Sequence, residues 1–125
     1  MDIKIENPIK ITLETIGIED CYSSIEFKIT LAGGGINHHQ SIELTTWITY
    51  SCFDDFIKNI NKKSEAILID ISDNFYIKLN IDFIECSFSY ENYDFSHLSL
   101  FKIKCTLNNS YHKIVEAFND YPRWW

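Results

Sequence analysis

Three stretches of the chain alternate apolar and polar residues with a period of two. Ile25, Phe27, Ile29 and Leu31 are interleaved with Glu26, Lys28 and Thr30, and Phe75, Ile77, Leu79 and Ile81 with Tyr76, Lys78 and Asn80. Phe101, Ile103, Cys105 and Leu107 are interleaved in the same way with Lys102, Lys104 and Thr106. Successive side chains of a strand point to opposite faces, so the rhythm predicts antiparallel strands with one buried face and one wet face. The strands are expected near residues 2–5, 9–16, 22–31, 40–49, 65–71, 75–80, 84–90 and 98–107. Two segments, 52–61 and 110–119, change period. There Phe53, Phe56, Ile57 and Ile60, and then Tyr111, Ile114, Val115 and Phe118, fall at i, i+3, i+4 and i+7. Each quartet makes one apolar stripe, so each segment is an amphipathic helix lying on something. The predicted class is α+β, a single domain over 1–125 in which two amphipathic helices pack on one face of an antiparallel β-sheet.

Local signals refine this picture. Ser51 is placed to cap the first helix, with Asp54 and Asp55 favourable near the positive end of its dipole, and Asn109 or Ser110 to cap the second. A connection centred on Asp94–Ser96 sets Tyr90 opposite Phe101, Phe88 opposite Ile103 and Cys86 opposite Cys105. Between Leu79 and Cys86 the apolar parity switches from odd to even, which requires a turn or a bulge near Ile81–Ile84.

Composition and charge narrow the partners. Apolar residues make up 46% of the chain and aromatics 15%, enough for a packed core. The net charge of −7 disfavours nucleic acid and anionic membranes. It suits a basic protein partner and equally serves ordinary solubility. No signal-peptide core or membrane span is present, so a cytoplasmic chain is expected. Cys21, Cys52, Cys86 and Cys105 have no metal-ligand spacing and are expected as free thiols.

No constellation of reactive residues emerges. Ala32-Gly33-Gly34-Gly35 lacks the Gly-Lys-Ser/Thr ending of a phosphate loop and reads as a hairpin connection. Adjacent His38 and His39 point to opposite faces if on a strand, a poor geometry for chelation. No nucleophile elbow appears. The expectation is a protein that is not an enzyme and has no cofactor or metal. Asp70 stands among Ile67, Ile69 and Ile71, whose parity assigns them to the core and Asp70 to the outer face. Trp47 and Tyr76 point outward by the same reasoning, with Glu26, Glu43, Asp70 and Glu85 around them. Glu43, Trp47, Asp70 and Tyr76 are therefore the candidate partner-binding residues. The alternative for Trp47 is burial under a loop or the chain terminus. The closing Tyr121-Pro122-Arg123-Trp124-Trp125 either folds back over the core, with Arg123 stacked on an aromatic ring, or inserts into a partner.

The order of segments carries a resemblance. Ser41-Ile42-Glu43-Leu44-Thr45-Thr46-Trp47 leads into Phe53-Asp54-Asp55-Phe56-Ile57-Lys58-Asn59-Ile60, followed by Glu65-Ala66-Ile67-Leu68-Ile69-Asp70. Leu100-Phe101-Lys102-Ile103-Lys104-Cys105-Thr106-Leu107 then runs into the closing helix. This resembles the WapI-type bacterial immunity proteins and related small families over about two thirds of the chain, Ser41 to Phe118. The resemblance implies a cytoplasmic antitoxin that neutralises a cognate, basic toxin domain by direct binding and needs no catalytic residues. Two readings from other classes stand beside it. One is a small-ligand binder or enzyme with a polar pocket between helices and sheet. The other is an oligomeric structural domain pairing through edge strands or the tryptophan tail.

Overall fold

A computed structural model of the chain describes residues 1–32, 41–92 and 97–125, with the backbone alone for 90–92 and 97–100. The elements follow the predicted order: β1 Asp2–Ile5, β2 Lys10–Glu19, β3 Ser24–Ala32, β4 Ser41–Thr49, α1 Tyr50–Asn61, β5 Ala66–Ile69, β6 Phe75–Leu79, β7 Phe83–Asn92, β8 His97–Thr106 and α2 Tyr111–Asn119. Every strand pairing is antiparallel. The strands form two four-stranded sheets, β1-β2-β3-β4 and β5-β6-β7-β8, where a single sheet was expected. The break falls between β4 and β5, where α1 intervenes in the chain.

Alternation does the packing. Ile11, Leu13, Ile25, Phe27, Ile29 and Leu31 from the first sheet share one core with Leu68, Phe75, Ile77, Leu79 and Ile84 from the second. Phe53, Phe56, Ile57 and Ile60 of α1 and Ile114 and Phe118 of α2 enter the same core, while Val115, Phe88, Phe101 and Ile103 pack partly buried against it. The Phe27 ring lies 6.1 Å from Phe53, and Phe56 meets Phe118 edge-on at 4.8 Å. Burying one such ring contributes roughly 1.5–3 kcal/mol, so the stripes hold the helices in place. The Tyr111 hydroxyl donates to the Ile60 carbonyl at 2.6 Å, a second donor to a carbonyl at the end of α1 that also accepts from the Lys63 N–H at 3.2 Å, and so ties the start of α2 to the end of α1.

Three local expectations are corrected, and a choice left open between a turn and a bulge is decided. The cap of α1 is Thr49, whose hydroxyl accepts from the Cys52 N–H at 3.2 Å, because β4 runs directly into the helix; Ser51 lies inside it. The β7–β8 register is displaced by two residues, so Cys86 faces Ile103 and Cys105 faces Ile84. The cysteines are diagonal neighbours and both are free, burial pushing the Cys86 thiol up to about 12. Residues 80–83 form a turn rather than a bulge, in which the Asn80 side chain accepts from the N–H groups of Asp82 and Phe83. Arg123 pairs with Asp54 at 2.8 Å instead of stacking on a ring.

The tail does fold back. The Trp125 indole stacks on Tyr50 at 4.4 Å, and its N–H donates to both Asp54 oxygens at 2.9 Å. The glycine-rich connection with His38 and His39, and the centre of the β7–β8 connection, lie outside the described residues.

Candidate binding face of the first sheet

The outer face of the first sheet is shaped by one glycine. In β2 the pairing slips between Thr15 and Gly17, a β-bulge that brings Gly17 opposite Glu26, which in turn faces Trp47. The three residues thus form one row across β2, β3 and β4. A side chain at position 17 would begin 3.1 Å from Glu26 Oε1 and 3.7 Å from Trp47 Cη2. The indole therefore lies across β3 and reaches β2, a close approach that a larger residue would obstruct.

Two further elements build a groove against the half-buried Trp47. Asp20–Tyr22 form a single 3-10 turn after β2, with the Glu19 carboxylate accepting from the Cys21 N–H at 3.3 Å. Ser23 then takes a left-handed conformation, φ 48°, that starts β3 and leaves Tyr22 projecting, 78% exposed. On the other side comes Ile71, 58% exposed, its N–H donating to the Trp47 carbonyl at 3.0 Å. Glu19, Tyr22, Ser24, Trp47 and Ile71 line a groove of about 310 Å³.

Ile71 is held there by Asp70, and here the sequence expectation fails. Asp70 is buried, only 4% exposed, and Ile67 on the opposite parity is 46% exposed. Strand β5 turns Ala66 and Leu68 into the core, and Asp70 continues that face. Its carboxylate accepts from the Thr46 hydroxyl at 2.5 Å and from the Asn74 and Phe75 N–H groups at 2.8 and 3.2 Å. The side chain closes the β5–β6 turn and ties it to β4, across the line between the two sheets. Its role is to position, and it presents nothing to a partner.

The other expected residues divide between the sheets. Glu43 is exposed on β4 and pairs with Lys28 at 3.6 Å. Tyr76 sits half-buried on the outer face of the second sheet, donating to Glu85 Oε1 at 2.5 Å. That bond, reinforced by Lys102 at 3.3 Å, holds the Glu85 carboxyl below the ordinary glutamate value. Glu43 and Trp47 therefore share a face, Tyr76 belongs to another, and Asp70 to neither. Tyr22 and Gly17 escaped the sequence reading, and Ile71, which parity assigns to the core, is exposed instead. Gly17 carried a signal, since an isolated glycine within a strand pattern marks a bulge or a close approach. Tyr22 and Ile71 fall inside the predicted strands 22–31 and 65–71, but both lie past the ends of the actual strands, where parity does not assign a face.

The described residues define a class: an α+β protein of two antiparallel sheets around one core, with an apolar groove on an otherwise polar outer face. Within that class no particular family is assigned. Protein-family models, curated proteins and solved structures yield no match to this chain. Among the described residues no helix is long and apolar enough to cross a membrane. No cluster of three or more His, Cys, Asp and Glu is arranged there to hold a metal ion.

Proposed function

We propose that this chain is an immunity protein, which neutralises a cognate bacterial toxin domain by binding it through the outer face of the first sheet. The observation that carries the reading is the Trp47 groove. Here a half-buried indole is flanked by an exposed tyrosine and an exposed isoleucine, on a strand face that alternation would otherwise fill with polar residues. Aromatic anchors in apolar clefts dominate the energetics of protein interfaces. The resemblance from Ser41 to Phe118 supplies the class of partner, and the net charge of −7 favours a basic one.

Co-expression tests the proposal. Cells producing the toxin encoded beside this gene should survive when the chain is co-produced. With Trp47→Ala, binding should weaken by about 2 kcal/mol or more while the fold is retained. Equal killing with and without the chain rejects the immunity reading. Full protection and unchanged affinity with Trp47→Ala reject the chosen face.

A further inference from the structure

The groove beside Trp47 has two chemical halves. Its walls are apolar and aromatic, formed by Trp47, Tyr22 and Ile71. Carboxylates border them: Glu19 lines the groove, and Glu26 Oε1 lies with Trp47 Cη2 within 4 Å of the point where a Gly17 side chain would begin. Glu19 accepts one bond, from the Cys21 N–H. Glu26 is half-buried and, among the described residues, has neither an ion pair nor a side-chain hydrogen bond. Lys28, the next outward residue on β3, is engaged with Glu43 instead.

Glu26 carries its charge beside the Trp47 ring edge with its carboxylate open to solvent and, among the described residues, no cation paired with it, so that charge is available to a partner. An anionic ligand would be repelled there. A purely apolar side chain would bury Glu26 further and leave its charge uncompensated. A cation on an aliphatic stem meets both requirements, since the stem covers apolar walls while the charged head meets the ring and the acids.

We infer that the groove accepts an arginine side chain of the partner protein. Its methylenes run along Ile71 and Trp47, and its guanidinium lies against the aromatic faces of Tyr22 and Trp47 within reach of Glu19 and Glu26. Arginine suits the place better than lysine because its planar fork stacks on rings and pairs with carboxylates simultaneously. This deepens the proposed function and rests on the reading that this face binds a protein.

The test uses the isotope-labelled full chain and two blocked tripeptides, acetyl-Gly-Arg-Gly-amide and its neutral counterpart with citrulline. The arginine peptide should shift the Trp47 indole N–H and the Ile71 backbone N–H saturably. The citrulline peptide, which keeps the shape and loses the charge, should bind at least about fivefold more weakly. A Glu19→Gln, Glu26→Gln double variant with an unchanged melting temperature should erase that preference, and Tyr22→Ala should weaken the arginine peptide alone. Equal binding of both peptides, or no saturable shift at the groove, overturns the inference. So does a shift at Trp47 that grows with protein concentration in the absence of peptide, which would identify a second copy of the chain as the occupant. Toxin binding that is lost with Trp47→Ala but indifferent to the double variant would remove the arginine and leave the binding face standing. Failure of the co-expression test would remove the toxin and leave the peptide result untouched.

Discussion

Asp70 ties the β5–β6 turn to β4 through a single buried side chain. It accepts one hydroxyl and two backbone N–H groups while almost fully buried, and two of those donors, the Thr46 hydroxyl and the Phe75 N–H, are buried with it. Asp70→Ala should therefore cost about 2–4 kcal/mol in urea unfolding, because each stranded donor carries its own desolvation penalty. Asp70→Asn keeps an acceptor for the turn and should cost less than half as much. A loss below about 1 kcal/mol for the alanine variant would contradict this account. Periodicity misled here because both parities of this segment are apolar: Ile67, Ile69 and Ile71 on one, Ala66 and Leu68 on the other. The deciding information was turn chemistry. Asp70 followed by Ser72, Asp73 and Asn74 is the composition of a turn in which a carboxylate accepts from the backbone ahead of it.

Glu85 shows the same economy on the second sheet. The Tyr76 hydroxyl, and after it Lys102, favour the ionised form and depress its native pKa. A depressed carboxyl contributes stability that is complete above its unfolded value and disappears as the pH falls through the native one. Acidification from about pH 6 to about pH 3 should therefore shrink the stability gap between the wild type and Glu85→Gln. Denaturant curves across that range that keep a constant gap would show that the Tyr76 bond does not select the charged state.

At the level of elements, strong alternation made most of the fold legible. All eight strands and both helices fall within a few residues of their predicted positions, because each carries an apolar face that only one period satisfies. Register and sheet membership were less accessible. A shift of two residues between β7 and β8 keeps every side chain on its face, so the pattern does not distinguish the two registers, and geometry at the connection decides. Nor does periodicity state which strands share hydrogen bonds, and the division into two sheets was invisible for that reason. The tail belongs to this scale as well, because it acts as an extra element docked on α1. Trp125→Ala removes the stack on Tyr50 and both bonds to Asp54, and should lower stability by about 1–3 kcal/mol. Arg123→Ala, at an exposed ion pair, should cost under about 1 kcal/mol. If the two variants were equally harmful, the charge rather than the ring would be holding the tail.

For the whole molecule, the two outer faces differ in what they offer. On the second sheet the described polar groups are largely paired: Glu85 with Tyr76 and Lys102, Lys78 with Glu65, and Lys104 over the Phe83 ring. The first sheet leaves a groove, exposed apolar groups and the carboxylate of Glu26 open. With a net charge of −7, association with a basic partner should accelerate as salt is lowered, while dissociation changes little. Stopped-flow rates that are flat across ionic strength would remove electrostatic steering from the proposed mechanism. The site was half legible in the sequence. Outward parity found Trp47 and Glu43, but the groove around them depends on a bulge, a 3-10 turn and the end of a short strand, and none of these is periodic.

The three tryptophans also make the protein its own optical instrument. Trp124 and Trp125 stand edge to face at 5.0 Å, with Tyr50 stacked on the latter, close enough for their electronic transitions to mix. Trp47 lies on the opposite surface of the first sheet, in the groove with Tyr22 and Ile71 and apart from the terminal pair. Emission and circular dichroism therefore divide the molecule into two independent channels. A ligand entering the groove should change the Trp47 emission and its quenching while the coupled signal of the terminal pair stays constant. Loosening the tail should do the reverse, so one unlabelled sample separates occupancy of the groove from undocking of the chain end.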